Sequence, residues 1–576
     1  MEICAFRGFT PIHPPCLFIS PIDKSIIYPS SRYVVVENAK GSQNFLSGLE
    51  NNITCMDLSP KGRMIAAGED GVRSDVVVWK AADRSLLFRF SEHDNGVLCL
   101  AFSQDERLLA TYGKEGRLII WDMASGNIVT HRAFKRADAI KWGGRVPDVK
   151  NRPTKTFYIA TAGPDGVALH VVDPQGGTIA SELLPMGKYT RTVSSFAFTS
   201  EHLICGTTSS DFLIFELHSK TLVKVYSAGR NGITDIYTAA DGGLLASTGD
   251  GKIFAVNEVG AQEVFSCDHP IVAIYNTHFL TKDGYLFSNQ EGEIWQSHSV
   301  PISSIDCCGK FSVSAGADRT IKVWDNRNMK CTLSFDTALR SKPTCVSLST
   351  HLLVAGFENG TLGGFDFTTG EKLFDIQHCH HTAVSAVEIA PPRRFFATGG
   401  SDAAVRIWDV KTRVMLTHFK NHTMEVTSVH FVPAATHLYS SSADMSVCLF
   451  DITGEKVIDR LTSFGSHVTD IDTDNTGDYL IAVTQDGHIE KFCVSQSNQS
   501  LSSIKTYETT SMSVSPNGDK FAIGHVNGNV SLWDFGSMSK ISEINTFSQA
   551  VSDIRFFADN RVMASAVDGG LAVLSV

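Results

Sequence analysis

The sequence predicts an all-β chain built as two tandem seven-bladed β-propellers, and three observations carry that expectation. A Trp-Asp unit recurs along the chain, its spacing stays near 42 residues, and one spacing close to the middle is much too short. A single blade cannot bury both faces of its sheet, so neighbouring blades must stack and the ring must close on itself.

The unit is a small turn, alternating apolar residues and a terminal Trp-Asp. It occurs as Gly116–Asp122, Asp318–Asp325, Ala404–Asp409 and Gly528–Asp534. Weaker copies keep the turn and place Phe365, Phe450 or Phe492 at the Trp position. Extending the alignment gives fourteen anchors: Val36, Trp79, Trp121, Val171, Phe215, Val256, Ser297, Trp324, Phe365, Trp408, Phe450, Phe492, Trp533 and Leu574. Within the unit anchored at Trp408, Val384–Ile389, Phe395–Thr398, Val405–Trp408 and Met415–Phe419 read as strands a to d, separated by turn residues. A period of about 40 to 45 residues with four short strands and a Trp-Asp ending is the mark of a WD40 propeller blade.

The interval from Ser297 to Trp324 is 27 residues, about one strand and one turn short, and it places the cut between residues 1–297 and 298–576. The blade before the cut is expected to lack its fourth strand. The chain also stops two residues after Leu574, leaving a second open edge. One spare segment, Ile3 to Phe9, precedes the first blade and is expected to complete one of the rings, with the choice of ring left open.

The 576 residues are 43% hydrophobic and carry 50 basic against 61 acidic side chains, a formal charge of −11, which fits a folded globular chain. No apolar stretch is long enough for a transmembrane helix, and the first residues lack the basic start and apolar run of an export signal. The thirteen cysteines, an odd number set mostly in apolar runs, read as reduced core thiols of a cytosolic protein.

His93, His380 and His422 each stand four residues before a strand-a valine. In that register a His, a Ser or Thr of strand b, an Asp of the b–c turn and the Trp of strand c form a buried hydrogen-bonded set. Asp402 and Trp408 are expected to complete the set of His380, and Trp79, Trp121, Trp324 and Trp533 are read as structural as well. The run His378-Cys379-His380-His381 is not read as a zinc site, because neighbours on an extended strand point to opposite faces. Cys307-Cys308 lacks redox-pair spacing, and no nucleophile elbow, phosphate loop or His-Glu-x-x-His helix occurs. The sequence therefore predicts no catalytic residue, no cofactor and no metal, and the chain is read as non-enzymatic.

The longest interval, 50 residues from Trp121 to Val171, implies an enlarged loop in the third blade. Residues 131–156 hold Arg132, Lys135, Arg136, Lys141, Arg145, Lys150, Arg152 and Lys155 against Asp138 and Asp148, a balance of +6 within a remainder of −17. This basic segment is the candidate partner-binding site, and an acidic protein surface suits it better than nucleic acid because interleaved aromatics are sparse. A solvated loop without a partner is the plain alternative.

Several N-terminal words carry a resemblance: Ile26-Ile27-Tyr28-Pro29, Gln43-Asn44-Phe45-Leu46, Asn51–Cys55, Asp75–Trp79, Gly206–Asp211 and Gly242–Leu245. They resemble the cilia- and flagella-associated WD-repeat proteins that have two seven-bladed propellers and lie inside axonemal doublet microtubules. The resemblance implies a microtubule inner protein in the doublet lumen of the cilium or flagellum. Its partners would be tubulin and neighbouring inner proteins, with no nucleic acid, membrane or small-molecule substrate. A tandem-propeller actin-interacting protein and a cytosolic WD40 adaptor for a multiprotein complex remain the alternatives.

Overall fold

The computed structural model describes residues 1–8, 16–148, 152–239, 241–289, 292–337, 341–391, 394–494 and 499–576. They form fourteen antiparallel four-stranded sheets, with no α-helix among the described residues. The chain is a WD-repeat β-propeller protein.

Two compact units result. Phe9–Ser297 is one; Met1–Gly8 together with His298–Val576 is the other. In the first, the seven blades run from strand Phe18–Ile19 to strand Gly292–Gln296, each made of four consecutive strands. Its last blade is therefore complete, which corrects the expected gap. The residue that faces strand b there is Phe287, paired with Phe279, whereas Ser297 lies beyond strand d. The blade is compact because its strands a to c are only five, four and four residues long, against seven, six and six in the blade that follows.

The second unit has the open edge, and the N-terminus closes it. Glu2–Arg7 pairs antiparallel with Leu571–Ser575 as the outer strand of the final blade. Residues 1–8, expected within 1–297, thus belong to the ring of the C-terminal half. Phe9, at the end of that expected segment, lies outside the described residues.

Packing explains why the ring is regular. In most blades strand a begins with a bulge, and in several of them a Ser or Thr at the extra residue staples its blade to the next. Thr54 donates to the carbonyl of Val97 (2.5 Å), Ser303 to Pro343 (2.9 Å), Ser385 to Val426 (2.6 Å) and Thr427 to Val468 (2.7 Å). Apolar side chains fill the space between sheets: Val76, Val78 and Phe90 of blade two meet Leu100, Leu109 and Trp121 of blade three, with Phe90 stacked on the indole at 3.9 Å.

The histidine sets knit each blade internally. In blade ten, Trp408 Nε1 donates to Thr398 Oγ1 (3.1 Å), which also meets His380 Nε2 (2.9 Å), while His380 Nδ1 meets Asp402 (2.7 Å). Burial pushes His380 down to about 4 despite Asp402, so the ring is neutral; burial raises Asp402, but the contact with His380 outweighs it and brings the carboxyl to about 2. Replacing Thr398 with Val keeps shape but strands an indole N–H and an imidazole nitrogen in the core. The expected cost is about 2 kcal/mol, read as a lower urea midpoint with unchanged slope.

Candidate binding surface

The basic segment is not one loop. It contains the outer strand Ile128–Ala133 of blade three and strands Ala139–Pro147 and Pro153–Gly163, the first two of blade four. The enlargement expected in the third blade instead lengthens this hairpin of the fourth: Arg145 pairs with Phe157 and Pro147 with Pro153. At about 3.3 Å per residue, the ends of Ala139–Pro147 are about 25 Å apart and lie on opposite rims of the ring.

This divides the eight cations. Arg132, Lys135 and Arg136 stand at or near the d–a turn. Arg132 donates to the Ile179 carbonyl, Lys135 meets Asp165 at 3.5 Å and Arg136 meets Asp138 at 2.8 Å. Arg145, Arg152 and Lys155 stand toward the other rim. There Arg145 lies 5.4 Å from the Phe157 ring centroid, Arg152 pairs with Asp148 (3.0 Å) and Lys155 Nζ donates to Gln175 (3.0 Å). Lys150 lies outside the described residues. The expectation of one contiguous basic site is corrected: a run of cations in sequence crosses the ring from rim to rim, because a strand carries it.

Lys141 sits mid-strand and belongs to neither group. Burial pushes Asp57 and Asp235 up to about 6, with Lys141 countering the rise for both. Each carboxylate also accepts a backbone N–H from the next blade, Asp57 from Phe102 (2.8 Å) and Asp235 from Ile274 (3.1 Å).

The other ring has a richer version of this inner wall. Its strands a surround a cavity of about 360 Å³ lined by Asp306, Glu388, His430, Asp470, Asp472, Asp553 and Arg555, among others. Again each acid reaches forward: Asp306 accepts from Leu348 N, Glu388 from Phe431 N (2.9 Å), Asp472 from Val514 N, and Asp553 from Ile305 N (2.9 Å), which carries the series across the closure. His430 stands between Glu388 (3.4 Å) and Asp472 (3.3 Å). Burial lowers its pKa, but the two carboxylates win and raise it to about 9. A histidine raised in the fold stabilises it fully below its unfolded pKa of about 6.5 and loses that contribution as pH rises through about 9. His430→Gln should therefore flatten the decline in urea midpoint between pH 7 and about 9.5; an unchanged decline would assign it to other groups.

The structural residues fall as follows. His93 meets Thr111 (2.8 Å) and Glu115 (2.5 Å), and Trp121 donates to the same Thr111 hydroxyl (2.9 Å). His422 meets Ser440 (2.6 Å) and Asp444 (3.1 Å), with Phe450 at the Trp position. Trp79 has no such set and donates to the Ser47 carbonyl (3.1 Å), and Trp533 donates to Ser531 (2.8 Å), shared with His525. A further complete set, His298 with Ser314, Asp318 and Trp324, escaped the sequence reading. Its signal was present, since His298 stands four residues before Ile302, the first residue of a strand a. Among the described residues, no group of three or more His, Cys, Asp or Glu side chains is placed to hold a metal ion.

The WD domain, G-beta repeat, matches at residues 84–122, 290–325, 371–409 and 413–451. Cilia- and flagella-associated protein 52 of Chlamydomonas reinhardtii is 23% identical over 76% of this chain and 75% of its own length. The Homo sapiens protein of the same name is 23% identical over 78% and 77%. WD repeat-containing protein 90 of Xenopus tropicalis is 24% identical over 81% of this chain and 25% of its own length.

Proposed function

Since this chain is a WD-repeat propeller protein similar to the cilia- and flagella-associated proteins over three quarters of its length, we propose that it is a non-enzymatic structural component of the ciliary or flagellar axoneme. It acts as a microtubule inner protein, binding tubulin and neighbouring inner proteins in the doublet lumen and stabilising the wall. The carrying observation is the two-sided coverage: the similarity to cilia- and flagella-associated protein 52 spans most of both chains, not a single repeat. The inner walls support a passive role, because their carboxylates are engaged in joining blade to blade.

The test is a fluorescent tag in a flagellated cell, followed by detergent and salt extraction of axonemes. Retention in the salt-resistant doublet is expected. Release into the soluble fraction would favour a cytosolic adaptor, and co-sedimentation with actin filaments instead of microtubules would favour the actin-interacting reading.

A further inference from the structure

The rim that holds Lys135 and Arg136 continues around the ring through turns that the sequence run does not include. The loop 184–192, ahead of the fifth blade, is anchored by Leu184 N on the Val167 carbonyl (2.8 Å), beside the Asp165 turn that Lys135 reaches. It carries Lys188, Tyr189 and Arg191. Arg191 Nε donates to Asp211 (2.6 Å) in the next turn of the same rim. That turn in turn holds the loop bearing Arg230, since Ala228 N donates to the Ser210 carbonyl (3.0 Å) and Gly232 N to the Ser210 hydroxyl (2.8 Å). Lys135, Arg136, Lys188, Tyr189, Arg191 and Arg230 thus form one continuous arc over three blades.

Within the arc the charges do not cancel. Asp165, Asp138 and Asp211 engage Lys135, Arg136 and Arg191, whereas the ion pairs among the described residues include neither Lys188 nor Arg230, both exposed. Lys188 and Arg191 lie 5.6 and 5.9 Å from the Tyr189 ring centroid, giving an aromatic platform flanked by two cations. The arc is positive on a chain of net charge −11. The equivalent turns of the other unit expose Glu358, Glu425 and Glu508 together with Arg319.

We infer that this arc is a docking surface for an extended, carboxylate-rich segment of a partner protein, seated along Lys135–Arg136, Tyr189 and Arg230. Spaced guanidinium and ammonium groups on a curved rim match successive carboxylates of an extended chain, and the ring of Tyr189 covers its apolar stems. The inference deepens the proposed function and rests on it only for the identification of a neighbouring inner protein as the source of the acidic segment.

A fluorescein-labelled octaglutamate peptide titrated against the full-length protein is the probe, with affinity read by anisotropy across a salt series. Binding that weakens with salt is expected, with Lys188→Glu/Arg230→Glu reducing affinity about tenfold and Arg145→Glu/Arg152→Glu/Lys155→Glu on the opposite rim changing it less than about twofold. The milder Lys188→Gln/Arg230→Gln pair, whose melting temperature should match the parent, gives an intermediate loss. No peptide binding at low salt, or equal losses from both rims, would overturn the inference. Microtubule co-sedimentation of the same proteins separates the two readings. Peptide binding lost in the Lys188/Arg230 variants of a protein that never pellets with microtubules would leave the surface standing and count against the proposed function alone.

Discussion

Deleting Met1–Gly8 should unlatch the C-terminal ring while leaving Phe9–Ser297 folded. The segment supplies a whole strand: Glu2–Arg7 against Leu571–Ser575, with Phe6 fully buried and edge-on to Phe547 at 5.5 Å. Arg7 is also buried and donates through Nε to the Met329 carbonyl (3.0 Å), tying the strand to the first blade of that ring. Gly8 has φ 138°, and an added Cβ would come within 2.9 Å of the Gly569 carbonyl, so a non-glycine residue there is strained as the chain leaves the latch. Phe6→Ala alone should cost about 3 to 4 kcal/mol from lost burial and the cavity left behind, and the deletion more, because an unpaired sheet edge is exposed as well. Urea unfolding followed by a probe in each unit should show one transition shifted strongly and the other unmoved. Appending Glu-Ile-Cys-Ala-Phe-Arg after Val576 through a short flexible linker should restore the shifted transition. Deletion without effect on that unit would show that Asp553 and the inter-blade staples hold the ring closed by themselves.

Much of this architecture was legible because the repeat is a physical unit. A Trp at the same place in strand c recurs wherever an indole must be buried between sheets, so Trp121, Trp324, Trp408 and Trp533 marked blades directly. Spacing failed where strands shorten. The short strands Ile271–Tyr275, His278–Thr281 and Tyr285–Ser288 bring the true strand-c position forward to Phe287, whereas the period lands on Ser297 and implies a missing strand. His298 was legible by the same rule as His93, His380 and His422, since it stands four residues before Ile302. Which ring takes the N-terminal strand was not legible, since any outer strand of alternating pattern fits either open edge. The basic segment shows a different limit. Charge density along the chain does not record which end of a strand each cation reaches, so eight basic residues that look like one patch separate, while Lys188 and Arg230, distant in sequence, join Lys135 and Arg136. The strand-a carboxylates were also silent, because an acid in an alternating strand, such as Glu388 between Val387 and Ile389, reads as a surface position until seven such strands face a common axis.

Arg555 tests how that axis is stabilised. Its guanidinium lies 3.7 Å from Asp553 and 3.6 Å from Asp470 and donates to the Met512 carbonyl (3.1 Å). Burial lowers its pKa, but Asp553, Asp470, Asp306 and Asp472 together raise it well above the ordinary value, so it stays charged throughout. Even beside this cation, burial holds Asp306 at about 6. Arg555→Met keeps most of the stem packing and removes the charge, leaving several carboxylates to repel across a partly dehydrated wall. The C-terminal ring should lose about 2 kcal/mol at pH 7.5, a figure kept low because about a third of the side chain is in solvent. The sign of the pH dependence is decisive. A carboxyl whose folded pKa exceeds its unfolded value binds protons more readily in the fold, so acidification from about pH 7 to about pH 5 stabilises the fold relative to the unfolded chain. The variant, with its carboxyls raised further, should therefore recover much of its deficit by pH 5. The neutral His380 acts in the opposite sense, since a depressed histidine loses stability as pH falls from about 6.5 toward about 4, and it does so equally in both proteins. Comparing variant and parent at each pH cancels that term. A deficit that stays constant from pH 7.5 to 5 would mean that Arg555 acts through its packing and its hydrogen bond to Met512, with the carboxylates of the wall already balanced by the backbone N–H groups they accept.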